Sequence, residues 1–169
     1  MKELLESAGQ EIHALDLVPS NGELGIGELA GQVARFAETS LPASFDLVGF
    51  SMGGIVGRYY LQRLGGLSRV RRFITLGSPH HGTYMGWLRG NPGAKQMRRG
   101  SAFLQDLNSD ADVLRQVDFT SIWTPFDLMI LPASSSVITA AKSIRVSVPA
   151  HPLLVKDKRV LQLVRDLLS

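Results

Sequence analysis

The stretch FDLVGFSMGGIVGRYYLQRLG, Phe45 to Gly65, leaves a chain few ways to fold. Phe45–Phe50 is a short apolar run of strand length, and Gly53 to Gly65 carries apolar side chains at helical spacing. No linker separates the two. A strand that passes straight into a helix must turn at Ser51, and so tight a turn forces that residue into a strained backbone conformation. Gly49 and Gly53 fall at the flanking positions, where glycine alone is expected to escape a clash, while Gly54 and Gly57 let the helix lie close to the sheet. The G-x-S-x-G pattern is common by chance, so its weight comes from the strand before it and the helix after it. The turn puts the Ser51 hydroxyl at a helix N-terminus, where free N–H groups favour developing negative charge. Ser51 is therefore the candidate nucleophile and the Met52 N–H the candidate oxyanion donor.

Around this core, helix and strand alternate. Leu4, Leu5 and Ala8 line one face of a first helix that Gly9 closes. Glu11 to Pro19 reads as a strand stopped by the turn Ser20-Asn21-Gly22, and residues 26–40 as an amphipathic helix. Strands are expected at Arg71–Ser78, Phe119–Thr124 and Ser143–Val148, with a closing helix over residues 156–168. This order implies a single α/β domain over residues 1–169, with a mainly parallel central sheet and helices on both faces. With 44% apolar and 20% charged residues, the composition is that of a globular chain. No apolar run approaches the ~20 residues a membrane span requires. The net charge of +3 comes from scattered cations and leaves no nucleic-acid footprint. The absence of cysteine excludes disulfides, thiolate metal sites and a cysteine nucleophile.

A nucleophilic serine needs a base, and the base needs a group that fixes its tautomer. Behind such a turn the order along the chain is serine, acid, histidine. Of the four histidines, His13 precedes Ser51, and His80 and His81 precede every well-placed acid, so His151 in VPAHPLL is the candidate base. Asp106, Asp110 and Asp112 read as a solvated face, and Asp118 lies at the amino end of its strand. Asp127, just past the carboxyl end of the same strand, is the candidate acid; ligand sites gather at that edge of a parallel sheet.

The segments LVGFSMGGIVGRYYLQ, FITLGSPHHGT, IWTPFDLMILPASSS and VPAHPLL together resemble the α/β-hydrolase lipases, in particular the small bacterial triacylglycerol lipase/esterase group, over about residues 12 to 168. The resemblance implies hydrolysis of ester or lipid substrates through an acyl-enzyme with no cofactor. It carries the nucleophile onto Ser51, the acid onto Asp127, the base onto His151 and an oxyanion N–H onto Met52. His80 and His81, in SPHHGT, read as structural, and no metal is expected. The resemblance also implies an earlier strand ending in a His-Gly motif, beside the one that ends at Ser51 and carrying the second oxyanion donor. The sequence shows no such segment, so the expectation is a truncated chain whose upstream DNA encodes that strand in frame. MKELLESAG holds no signal-peptide core; the chain as it stands reads as cytoplasmic, and a longer N-terminus would leave secretion open. Two rivals stand beside the hydrolase reading. One is an impaired fragment or interaction domain that keeps the triad, the other an acyltransferase or thioesterase on the same scaffold. Residues 84–116 mix Tyr84, Met85, Trp87 and Leu88 with Arg89, Lys95, Arg98 and Arg99. They read either as core packing plus a solvated loop, or as a lid or pocket wall making transient contact with a lipid surface.

Overall fold

The computed structural model describes residues 2–7, 9, 11–19 and 22–169. Its centre is a four-stranded, all-parallel sheet in the order β1 (Phe45–Phe50), β2 (Val70–Leu76), β3 (Asp118–Trp123), β4 (Lys142–Arg145). The helices are α1 (Lys2–Ser7), α2 (Ile26–Ser40), α3 (Met52–Arg63), α4 (Pro92–Gln96), α5 (Ala102–Ser109) and α6 (Lys158–Leu168). Strand order equals chain order, so each crossover moves one strand further across the sheet.

The period-two alternation of the strands sorts the core into two layers. Phe73 of β2 and Phe119 of β3 are paired in register, their rings stacked at 4.7 Å, and both face α2, α3 and α5. Their neighbours Ile74, Leu76 and Ile122 face the other way, onto Leu5 of α1 and Val160, Val164 and Leu168 of α6. Each such buried side chain contributes roughly 1.5–3 kcal/mol. Both sheet faces are therefore covered, as the run of apolar residues in each strand requires.

The expected β1 and α2 coincide with the observed ones, and the other elements are offset by a few residues. β4 is shorter than Ser143–Val148, although Val146 N–H still donates to Trp123 O. Gly9, at φ +80°, follows α1, and Gly22, at φ +86°, lies where a turn was expected. The Leu4 side chain, Ala8, Ser20 and Asn21 lie outside the described residues.

The expected strand from Glu11 to Pro19 is not a strand. Among the described residues no backbone–backbone hydrogen bond ties residues 11–17 to β1. Val18 is held instead by the Gln32 side chain, which accepts from its N–H at 3.0 Å and donates to its carbonyl at 2.8 Å. The alternating residues are present, but a strand exists only where a neighbour meets its ladder. Between this segment and the open edge of β1 lies a groove of about 770 Å³, lined by Leu15, Leu17, Phe36, Val48 and Gly53 among others.

Candidate active site

Ser51 sits between β1 and α3 at φ 52°, ψ −122°, the only non-glycine residue with positive φ among the described residues. For a residue with a Cβ that is a strained conformation, of order 1–3 kcal/mol. It is held by the Ser51 N–H donating to Leu76 O at 2.8 Å and by Gly54 N–H donating to Ser51 O at 3.1 Å. Three glycines permit the turn. A Cβ on Gly49 would come within 2.7 Å of the Gly53 carbonyl and the Gly54 backbone, one on Gly54 would overlap the Ser78 side chain, and one on Gly57 would lie 2.8 Å from the Phe73 ring. Gly53 departs from expectation: a Cβ there would meet nothing within 4 Å, because that side of α3 faces the groove rather than the sheet. Met52 is the first residue of α3, so its N–H has no acceptor within the helix.

Asp127 lies in the loop after β3 and His151 in the turn after β4, and the structure brings them together. His151 Nδ1 and Asp127 Oδ2 are 2.6 Å apart, and both residues are 3% exposed. Asp127 Oδ1 accepts from Met129 N–H at 2.9 Å and Ile130 N–H at 2.8 Å. With its oxygens engaged as acceptors, the carboxylate selects the imidazole tautomer protonated on Nδ1. His151 Nε2 is buried without a hydrogen-bond partner. The imidazole stacks on Phe50, the residue before Ser51, with centroids 4.8 Å apart. It also lies where a Cβ on Gly77 would touch it at 3.0 Å. Ser51, Asp127 and His151 thus come from the carboxyl ends of β1, β3 and β4, while Asp118 is exposed at the opposite end of β3.

His80 is fully buried, its Nε2 3.1 Å from Thr75 Oγ1 and its ring edge-on to Phe119. Burial first, then the positive charge of Arg58 and the neighbouring His81, holds it well below the usual histidine range, so it is neutral. His81 is shifted in the same direction, again chiefly by burial. Among the described residues no three His, Asp or Glu side chains converge on a common point.

Two groups that sequence reasoning missed tie together the segments around this site. Arg58, fully buried on α3, donates to Leu107 O at 2.8 Å, Asn108 Oδ1 at 2.9 Å and His80 O at 3.4 Å. Burial lowers its pKa to about 10, which leaves it charged at neutral pH. Its signal was legible as a single cation inside the apolar stripe GGIVGRYY. Thr83 joins the loop after β2 to the acid's loop: its Oγ1 donates to Met129 O at 2.9 Å and accepts from Leu131 N–H at 2.9 Å. A lone threonine carries no such signal.

Comparison with known proteins follows the same lines. The family profile described as palmitoyl protein thioesterase matches residues 2–102, a span that holds the Ser51 turn and ends before Asp127. No curated protein matches the chain by sequence. Among solved structures it is similar to the mature form of a Bacillus licheniformis lipase, with a TM-score of 0.82 at 17% identity over 100% of this chain and 83% of that one. It is also similar to Aspergillus fumigatus lipase B, with a TM-score of 0.65 at 19% identity over 76% of this chain and 35% of that one. A meta-cleavage product hydrolase from Pseudomonas fluorescens gives a TM-score of 0.61 at 13% identity over 88% of this chain and 73% of that one. At these identities the likeness speaks for the fold. The strained serine turn, the parallel sheet and the profile match agree: the chain is an α/β hydrolase and belongs to the palmitoyl protein thioesterase family.

Proposed function

We propose that the chain is a serine hydrolase of acyl esters, acting through an acyl-enzyme. The buried 2.6 Å pair of His151 and Asp127, packed against the residue that precedes Ser51, carries this reading. Asp127 holds the imidazole with its proton on Nδ1 and leaves Nε2 as the base. Ser51 Oγ forms a bond to the acyl carbon as its proton passes to Nε2. The Met52 N–H donates to the oxyanion. The alcohol or thiol leaves with the proton from His151. Water then attacks the acyl-enzyme, gives its proton to His151, and the acid departs as Ser51 recovers its proton.

Family membership favours a long-chain acyl thioester over an oxygen ester as the substrate, with a thiol as the leaving group. Fluorophosphonate labelling tests the nucleophile: the native chain reacts at Ser51 and the Ser51→Ala chain does not. A folded native chain that stays unlabelled overturns the proposal. Palmitoyl thioesters and p-nitrophenyl palmitate, compared at equal concentration, test the leaving group. A second reading, a chain that acylates but turns over slowly, draws support from the groove beside β1. Among the described residues no strand pairs with that edge of β1 to offer a second oxyanion donor, and removing one such donor costs about 10²–10³ in turnover. A labelled chain with a stoichiometric product burst and no steady state would favour it.

A further inference from the structure

Two loops at the carboxyl edge of the sheet expose large apolar side chains that the core does not use. In the loop after β2 these are Tyr84, Trp87 and Leu88, and Leu88 is 73% exposed. In the loop after β3 they are Phe126, Leu128 and Met129, which surround the buried Asp127, and Leu128 is 75% exposed. The two loops form one surface, because Thr83 bonds across to Met129 and Leu131, and Tyr84 N–H donates to Leu131 O at 3.0 Å. Apolar groups this large are normally covered, and an exposed cluster of them marks a contact surface. Tryptophan and tyrosine in particular suit the boundary between water and lipid headgroups.

Along the sequence, the two loops carry cations and one paired carboxylate. Residues 79–105 contain Arg89, Lys95, Arg98 and Arg99 and no carboxylate. Residues 119–141 contain a single one, Asp127, already paired with His151. Arg98 lies over the Trp87 ring at 4.4 Å and donates to the carbonyls of Gly86 and Arg89, which fixes the loop's shape. Arg99 lies over Tyr84 at 5.4 Å. Cations beside apolar tips, with no carboxylate among them, complement a surface that is both oily and negative.

We propose that these two loops dock the protein onto an anionic lipid surface, with the apolar side chains entering the interface and Arg89 and Lys95 meeting the headgroups. The proposal rests on the acyl-ester reading for its purpose, since it would bring the Ser51 site to substrates held in a bilayer; docking itself requires no turnover. Co-sedimentation of the full chain with phosphatidylcholine vesicles, with and without phosphatidylserine, is the test. The Ser51→Ala chain is expected to bind as the native chain does, so vesicle binding without fluorophosphonate labelling would sink the hydrolase reading and leave docking standing. Arg89→Gln with Lys95→Gln is expected to bind phosphatidylserine vesicles about thirtyfold more weakly, with little change on neutral ones. Trp87→Ser and Leu128→Ser, on separate loops, are each expected to weaken binding to both vesicles about tenfold. Leu88→Ser replaces Trp87→Ser if the latter melts below the native chain. Binding to neither vesicle overturns the proposal, and so does unchanged binding in the loop variants. Capture of an acidic peptide through these residues, with vesicles ignored, overturns it in favour of a protein surface.

Discussion

Ser51 is held at φ 52° by a turn in which one flanking glycine is sterically required and the other is not. Gly49→Ala would drive a methyl into the Gly53–Gly54 backbone and is expected to destabilise the protein by about 1–3 kcal/mol, with loss of labelling at Ser51. Gly53→Ala enters open space within a helix and is expected to stabilise it by up to about 1 kcal/mol, raising the melting temperature by roughly 2–4 °C. The sequence pattern alone treats the two glycines as equivalent, because a clash depends on what the fold brings alongside. At the acid, Asp127→Asn preserves the shape but offers His151 the wrong tautomer; turnover is expected to fall by about 10⁴, the size of the corresponding loss in the best-studied triad enzyme. His80 gives a pH signature. It is neutral when folded, whereas in the unfolded chain it takes up a proton near pH 6.5. Below about pH 6.5 the unfolded state binds more protons, so stability falls with pH, by up to about 1.4 kcal/mol per unit for this group. His80→Asn is expected to make that slope shallower in denaturation curves between pH 6.5 and 5.

Among the elements, the loops that build the site are fixed by buried polar clamps rather than by their own apolar content. Thr83→Val keeps the volume but leaves Leu131 N–H and Met129 O without their partner. It is expected to destabilise the protein by about 2 kcal/mol and to lower turnover at saturating substrate, measured by melting and by steady-state rates. A melting shift without a rate effect would show that the clamp is not needed to hold the acid. The elements themselves were largely legible. Strands such as Phe45–Phe50 are short apolar runs between turn signals, and α2 has a regular apolar stripe. Chain order and strand direction place Asp127 and His151 at one sheet edge, and the structure brings the two into contact there. Arg58 and Thr83 were not legible as clamps, since their partners lie on distant segments: Arg58 reaches across to Leu107 and Asn108. The alternation in Glu11–Pro19 is a strand pattern without a strand, because pairing is a property of two segments.

On the scale of the whole molecule, β1 ends the described sheet on the side of the 770 Å³ groove. Along a strand successive residues turn their N–H groups to opposite sides. Ser51 N–H points to β2, and so, by alternation, does that of Gly49, while those of Val48 and Phe50 point to the groove. Amide exchange is therefore expected to be faster at Val48 and Phe50 than at Gly49 and Ser51. Equal protection at all four would mean that another segment pairs with this edge in solution. Of the three proposed site residues, Ser51 ends this edge strand, while Asp127 and His151 follow β3 and β4 on the far side of β2.

Asp127 is anchored by the N–H groups of Met129 and Ile130, and main-chain donors are the same whatever side chain they carry. Side-chain substitutions at positions 128 and 129 therefore leave the anchor of Asp127 in place; proline at 129 or 130, which has no N–H, is the barred substitution. Their side chains are turned outward, so such substitutions alter what the protein meets at its surface without disturbing the buried pair beneath. Side-chain changes at this loop alter the exposed surface while the His151–Asp127 pair keeps its geometry.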